Sequence, residues 1–364
     1  MRRAAIRAIA TARPTFRMTR EEWLAIADRI SPPEVDRRVL ARLAERSGID
    51  TRWCAAFEHE NACFYEAGSV PGTAERMALW SRSARAMALE ASAAALARAG
   101  ERAGAITHLV TASCTGFESP GVDAHLIASL GLSPEVKRVH VGFMGCHAAV
   151  NAMGVAHQAV LADPRAKVLV CCAEVCSAHF HHTARLDQLI ANTLFADGAA
   201  ALVVTAAHER DPEPGIASTH SIVLPNTEAD MRWTIGNHGF EMTLGAQVPD
   251  RLEREVGAWV RRVLAEQGLE VADIGGWAIH PGGPRVIESV LASLALDPRA
   301  GDASRAVLRE CGNMSSATLL FILERLRASH GQAQSRRPLV GLAFGPGLVG
   351  EMVVIQPPRE GENR

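Results

Sequence analysis

One short pattern occurs twice in this chain, and that repetition limits the folds open to it more than any other feature. Leu126-Ile-Ala-Ser-Leu-Gly-Leu132 returns as Val290-Leu-Ala-Ser-Leu-Ala-Leu296, an offset of 164. The segment around Cys146 leads into an apolar stretch, Ala148 to Leu161. The segment around Asn313 leads similarly into Ala317 to Leu326, an offset of 167. Lys167-Val-Leu-Val-Cys171 is then answered by Pro338-Leu-Val-Gly-Leu342, an offset of 171. Elements that recur in order with small drifts in spacing indicate an internal duplication.

Each copy reads as strand, loop, helix, then a turn into a central helix, then more strands, with Ala5–Ala10 as a first strand. Val168–Val175 and Ala199–Thr205 are apolar without alternation, as in strands covered on both faces. The expected fold is therefore α/β: two similar halves, 1–210 and 211–364, with mixed sheets sandwiching helices. The stretch from His208 to Gly215 is the expected seam, and Pro357 to Arg364 an expected loose tail.

Bulk properties remove several function classes. With 364 residues, 48% of them apolar, the chain buries a large core. A net charge of −2 offers nothing to nucleic acid, and Arg37-Arg38 and Arg261-Arg262 read as solvated helix faces. No stretch has the roughly 18 consecutive apolar residues of a membrane span. Met1 to Arg17 has no continuous hydrophobic region and no cleavage site, so no signal peptide is read there. The eight cysteines follow no disulfide or Cys-x-x-Cys spacing, and several sit in apolar runs. They indicate buried thiols in a reducing cytoplasm.

Three distant segments supply a thiol, an imidazole and a carboxamide: Cys146 in Gly142-Phe-Met-Gly-Cys-His147, His280 in Ala278-Ile-His-Pro-Gly-Gly-Pro284, and Asn313 in Cys311-Gly-Asn-Met-Ser-Ser-Ala317. Each has a plainer reading alone: a packed cysteine, a loop histidine, a helix N-cap. Together they suit acyl-thioester chemistry. The thiol accepts an acyl group, and the His N–H and Asn NH₂ stabilise an enolate oxygen. Cys146 and Asn313 also hold matching places ahead of the two central helices. A thiol at a helix N-terminus is expected to have a lowered pKa and to pair as thiolate with the imidazole.

A second cluster, Cys172, Cys176, His179, His181 and His182, matches no zinc-ligand spacing, and no metal is assigned to it. Strand alternation from Val168 sends Cys172 and Cys176 to one face, where some of this set would line the wall of the site.

At these residues the chain resembles the type III polyketide synthases, the chalcone and stilbene synthase family, from about residue 5 to 356. The resemblance rests on His280-Pro-Gly-Gly-Pro284, Gly312-Asn-Met-Ser-Ser-Ala317, Phe344-Gly-Pro-Gly347, Phe195-Ala-Asp-Gly-Ala-Ala200 and Val136-Lys-Arg-Val139. It implies a duplicated thiolase-type fold, a homodimer, and decarboxylative condensation of malonyl-CoA onto an acyl-CoA without metal or redox cofactor. Cys146 then corresponds to the acyl-bearing nucleophile, and His280 and Asn313 to the pair supporting decarboxylation. Phe195 matches a gatekeeper between the coenzyme A tunnel and the cavity, while Met242 replaces a second gatekeeper Phe. Two coenzyme A-binding cations align as Arg42 and Arg46, and a third position is Val39.

Cys114, Cys176 and His179 replace threonines that line the cavity in plant members. Trp233 falls where those enzymes have Gly and is expected to fill part of the cavity. Ser315, Gly345 and Pro346 of the shared motifs complete the expected wall. The Cys-Thr-Gly-Phe, Ser-Pro-Gly and Met-Arg-Trp segments are similar to those of bacterial members that make alkylpyrones or alkylresorcinols. There a fatty acyl chain enters a tunnel near the position of Cys114. Two rivals remain: a ketosynthase III-like enzyme performing one condensation on a carrier protein, and a non-catalytic binding protein of the same fold. The second would be favoured by a missing catalytic residue, and none is missing. Cysteine proteases also use Cys, His and Asn, but the duplicated α/β pattern argues against one.

Overall fold

A computed structural model of the chain describes residues 3–57, 64, 65, 70–207, 211–329 and 336–358. Residues 208–210 of the expected seam and 359–364 of the expected tail lie outside them. Among the described residues a nine-stranded mixed sheet forms the frame. Its order is Gly276–Ile279, Leu339–Gly345, Val349–Gln356, Gly215–Val223, Ala4–Ala12, Asp197–Ala206, Lys167–Val175, His108–Ser113, Lys137–Gly142.

The duplication is visible in that order. The two halves join where Ala4 and Ala5 pair with Ile216 and Gly215. Outward from this seam, 4–12, 197–206, 167–175 and 108–113 run antiparallel, antiparallel, then parallel. On the other side, 215–223, 349–356, 339–345 and 276–279 repeat the same sequence of directions. The first half adds an outer strand, Lys137–Gly142, parallel to its neighbour.

Two apolar helices, Ala148–Ala162 and Ala317–Ser329, lie between the halves, each touching strands of both. Gly154 marks the closeness of that packing, since a Cβ there would stand 3.0 Å from Thr219 Oγ1 of the other half. The unalternated strand Lys167–Val175 is covered on both faces, as expected. Val168, Val170 and Cys172 pack against the central helices. Leu169, Cys171, Ala173 and Val175 pack under the long helix Thr73–Ala99. Helices Val248–Ala265 and Pro284–Leu294 cover the second half in the same way. The layers therefore run helix, sheet, central helices, sheet, helix, and burying apolar side chains in every interior layer is the main stabilising contribution.

Candidate active site

The polypeptide turns sharply before each central helix, and both turns are conformationally unusual. Cys146 sits in a single 3₁₀ turn, Gly145–His147, directly ahead of Ala148. Gly145 has φ +80°, and a Cβ on it would approach Pro346 Cδ to 2.5 Å. A Cβ on Gly345 would likewise meet His147 Cδ2 at 2.5 Å. Gly345 and Pro346 thus hold the nucleophile turn by backbone proximity that only glycine permits. Phe143 and Ser315 adopt left-handed backbone at φ +60° and +46°. Non-glycine residues there cost free energy, and such strain clusters at functional sites.

The strained Ser315 joins the two turns. Its Oγ lies 2.8 Å from Cys114 Sγ and 3.6 Å from Cys146 Sγ. Asn313 Oδ1 accepts from the Ser315 N–H at 2.9 Å, which leaves the carboxamide NH₂ as the donor end, and that side chain hydrogen-bonds Cys146. Its backbone pairs with the Phe195 segment: Asn313 N donates to the Leu194 carbonyl and Ala196 N to the Asn313 carbonyl. His280 is buried, and neither of its ring nitrogens has a hydrogen-bond partner among the described residues.

The protonation pattern corrects the expectation of a lowered thiol pKa. Burial pushes the Cys146 thiol up to about 12, outweighing the hydrogen bonds from Ser315 and Asn313 that favour the thiolate. Burial also pushes His280 down to about 3, with a smaller contribution from the neighbouring His147. The unliganded site holds a neutral thiol and a neutral imidazole. Removing two charges from water costs more here than one short helix terminus returns.

A cavity of about 30 Å³ adjoins Cys146 and brings together Cys114, Cys176, His179, Phe195, Trp233, Met242, Ser315 and Pro346. That is room for a water or two. Trp233 and Met242 fill the remainder, projecting from the hairpin Met231–Gly236/Gly239–Leu244. His179 is a bracket: the Phe240 N–H donates to its Nδ1 at 3.0 Å, so Nε2 carries the proton and donates to the Thr115 carbonyl at 2.6 Å. With both nitrogens engaged and its pKa lowered by burial to about 3, His179 forms wall.

The second cysteine–histidine cluster disperses. The strand ends at Val175, so Cys176 opens a 3₁₀ turn into the cavity instead of sharing the buried face of Cys172. His181 and His182 bond the carbonyls of Phe240 and Ile30.

A larger cleft of about 640 Å³ lies on the other side of helix Leu186–Leu194. That helix turns Gln188, Ala191 and Asn192 to the small cavity and Leu186, Ile190 and Leu194 to the cleft, while Met231 lines both. Arg46 lines the cleft, but Arg42, one turn earlier, does not. Arg185, Arg285 and the Gly282-Gly283-Pro284 loop also line it.

Sequence reasoning missed Glu174, although a lone carboxylate in an otherwise apolar strand was the available signal. Buried completely, it accepts from the backbone N–H groups of Cys114 and Thr115 and from the hydroxyls of Ser113, Thr115 and Ser316. It pins both walls of the Cys114–Ser315 contact together. It also missed Arg52, fully buried, whose Nη1 donates to the carbonyls of Asn192 and Phe195 at 3.3 Å while its guanidinium lies 4.8 Å over Trp23.

A thiol, a carboxamide and an unpartnered imidazole, set between two duplicated halves, define a condensing enzyme working on acyl thioesters. The chain belongs to the chalcone and stilbene synthase family: models of the family's N-terminal and C-terminal domains match residues 2–208 and 215–357. It is 37% identical to the "Alpha-pyrone synthesis polyketide synthase-like Pks18" of Mycobacterium tuberculosis, over 89% of this chain and 84% of that protein. It is 34% identical to the 1,3,6,8-tetrahydroxynaphthalene synthase of Streptomyces peucetius, over 98% and 93%. The crystal structure of PKS-I from the brown alga Ectocarpus siliculosus superposes with a TM-score of 0.94 at 29% identity, covering 98% of this chain and 99% of that one. The fold is the duplicated thiolase type, and the protein is an acyltransferase of the type III polyketide synthase class. No helix among the described residues is long and apolar enough to cross a membrane.

Proposed function

We propose that this synthase loads a fatty acyl group from coenzyme A onto Cys146, extends it with two or three malonyl-CoA units, and closes the product as an alkylpyrone or resorcinol-type ring. The observation that carries the reading is the juncture of Cys146, Ser315 and Asn313, with a buried His280 close enough to His147, the residue after Cys146, to feel its charge, and with both ring nitrogens unpartnered among the described residues. Because neither Cys146 nor His280 ionises alone, the thiol proton moves to His280 as sulfur attacks the thioester. The new S–acyl bond forms, the bond to coenzyme A breaks, and the leaving thiolate takes that proton. Malonyl-CoA then loses carbon dioxide. The enolate oxygen accepts N–H bonds from neutral His280 and from Asn313, and the enolate carbon attacks the acyl–Cys146 carbonyl, expelling the Cys146 thiolate, which takes a proton from solvent; the extended coenzyme A thioester then reloads onto Cys146 for the next round.

The apolar wall supports a fatty starter, and the name of the Mycobacterium relative supports closure as a pyrone. A cavity of about 30 Å³ admits such a chain only when Trp233, Met242 or the Cys114 wall gives way. Among the described residues the outer strand Lys137–Gly142 has an unpaired edge, and Val139, Phe143, Met144 and Phe117 are exposed around it, supporting a homodimer. The reading places the enzyme in the cytoplasm.

Mass spectrometry of products from malonyl-CoA and a panel of acyl-CoA starters tests this, with Cys146→Ala as control. Long-chain tri- or tetraketide pyrones absent from the control are expected. Short-chain products alone would remove the fatty starter, and turnover confined to carrier-bound substrates would favour the single-condensation rival.

A further inference from the structure

Helix Leu186–Leu194 carries Gln188, 2% exposed, into the wall of the small cavity. The Met242 N–H meets one end of its carboxamide at 2.6 Å, and only the oxygen accepts there. That contact fixes which way the amide faces. Oε1 is tied to the hairpin, and Nε2 is the end left for the cavity. Neither hydrogen on Nε2 has a partner among the described residues.

The other polar side chains of that wall are already committed to protein partners. Thr115 Oγ1 donates to Glu174 at 2.6 Å, and His179 uses both ring nitrogens. Asn192 holds the His181 backbone with both ends of its carboxamide, accepting at 3.2 Å and donating at 2.9 Å. The Trp233 Nε1–H goes to the Cys114 carbonyl, and Ser315 Oγ stands between two sulfurs. An amide NH₂ held out of bulk water without a partner costs free energy, which a bound acceptor restores.

Resting on the polyketide reading above, we propose that Gln188 is a specificity-determining residue: its Nε2 donates to the 3-oxo oxygen of the chain on Cys146 and favours extended chains over unextended ones. A saturated acyl starter has one oxygen, the thioester carbonyl, and that oxygen belongs to the reacting centre. The carbons beyond it are CH₂ groups, which offer Nε2 nothing. One condensation sets a keto oxygen two carbons further from the sulfur. That oxygen only accepts, and Gln188, with Oε1 held by Met242, has only donors to present. Cys146 and Gln188 line the same cavity of about 30 Å³, so the part of a chain nearest the sulfur is the part that meets Gln188. A site built to bond a polar group of its substrate discriminates against the analogue that lacks it.

The test compares octanoyl-CoA with 3-oxooctanoyl-CoA as starters for the whole protein, each with malonyl-CoA. The kcat/KM of a starter reports the steps through its first condensation, and only the second starter carries a keto oxygen by then. Gln188→Met removes the donor at nearly constant volume. It is expected to lower kcat/KM for 3-oxooctanoyl-CoA about fivefold more than for octanoyl-CoA, as for loss of one neutral hydrogen bond. The ratio is taken within one preparation, so a smaller folded fraction leaves it unmoved. Gln188→Glu keeps an oxygen for the Met242 N–H and, ionised, offers no donor, so the same selective loss is expected with the hairpin still tied. Equal losses for the two starters would make Gln188 a clip between helix and hairpin and overturn the proposal, as would a larger loss for octanoyl-CoA. Failure of the parent reading is distinct, since the wild type then turns over neither starter and both fall.

Discussion

Met242 faces Trp233 directly across the hairpin, and the Trp233 indole donates its Nε1–H to the Cys114 carbonyl at 2.8 Å. Two of the positions that the resemblance sets apart from the plant enzymes are thus one cross-strand pair, tied to a third. Gln188 Oε1 accepts the Met242 N–H at 2.6 Å and secures the same strand to the dividing helix. Both side chains line the small cavity.

Trp233→Gly opens the space the indole occupies and is expected to lengthen products, raising the ratio of tetraketide to triketide. Because Trp233 is only half-buried, its stability cost falls below the ~3–5 kcal/mol of removing a fully buried aromatic. Product mass spectrometry reads the ratio, and an unchanged ratio would separate cavity volume from chain length. Cys114→Phe tests the opposite wall. It should reduce turnover of long starters more than short ones, and equal losses would sink the tunnel beside Cys114.

A thiol at about 12 and an imidazole at about 3 make a kinetic prediction for the free enzyme. Alkylation follows the thiolate fraction, so a raised pKa lowers the rate at neutral pH. Cys146 is expected to react with iodoacetamide about a thousandfold more slowly at pH 7 than an ordinary exposed cysteine. The rate should climb about tenfold per pH unit through pH 9. A plateau with a midpoint below pH 7, followed by peptide mass spectrometry, would instead reveal a resident thiolate–imidazolium pair.

The reason that pair was expected shows where sequence reading stops. Helix position and a nearby imidazole are legible in Cys146, His280 and the duplicated spacing, and each favours the thiolate. Burial is not legible, because it depends on how the Gly345-Pro346 turn closes over Gly145. The same limit separates Arg46 from Arg42: an i, i+4 pair shares a helix face, but only the later residue reaches the end where the cleft opens. Gln188 was invisible for a related reason, since nothing in the chain announces that its helix meets the Met242 strand. The duplication, both central helices and the covered strand Lys167–Val175 were readable because periodicity and offset are properties of sequence alone.

Glu174 carries a stability prediction. Its carboxylate satisfies two backbone N–H groups and three hydroxyls in a fully buried position. Glu174→Ala orphans them together and is expected to cost about 3 kcal/mol or more in chemical denaturation, since each buried unsatisfied donor costs ~1–3 kcal/mol. Glu174→Gln keeps an acceptor oxygen and should recover part of that loss. Equal stability of the Ala variant and wild type would mean that water replaces the carboxylate.

Of the three imidazoles buried among the described residues, His147, His179 and His280, the last two carry the larger downward shifts and add acid sensitivity to the fold. His179 and His280 stay neutral in the folded protein down to about pH 3, while in the unfolded chain each takes a proton near 6.5. Between those values the unfolded state binds more protons, so stability is complete above about pH 6.5 and falls as the pH drops towards 3. His280→Asn should flatten that slope where His147→Gln, on a ring whose charged form is favoured by the Asn151 carbonyl at 2.8 Å, does so less. Denaturation midpoints between pH 7 and 4 that run parallel for wild type and His280→Asn would rule out this source of acid sensitivity.

The outer strand gives the last prediction. Among the described residues Lys137–Gly142 pairs only with His108–Ser113, and its far edge of backbone donors and acceptors has no strand partner there. Lone edges are usually blunted by charge or covered. Here Lys137 and Arg138 stand at the strand's start, but Val139 is 43% exposed, and Phe143 and Phe117, 6.3 Å apart, extend the apolar surface beyond it. An edge of that kind is self-complementary under a twofold axis, because the same strand of a second copy can pair antiparallel to it. Light scattering of the purified protein should give twice the chain mass, and Val139→Lys with Phe117→Ser should shift it to one chain while far-ultraviolet circular dichroism stays intact. A wild-type monomer at micromolar concentration would leave this edge unpaired and remove the dimer from the reading.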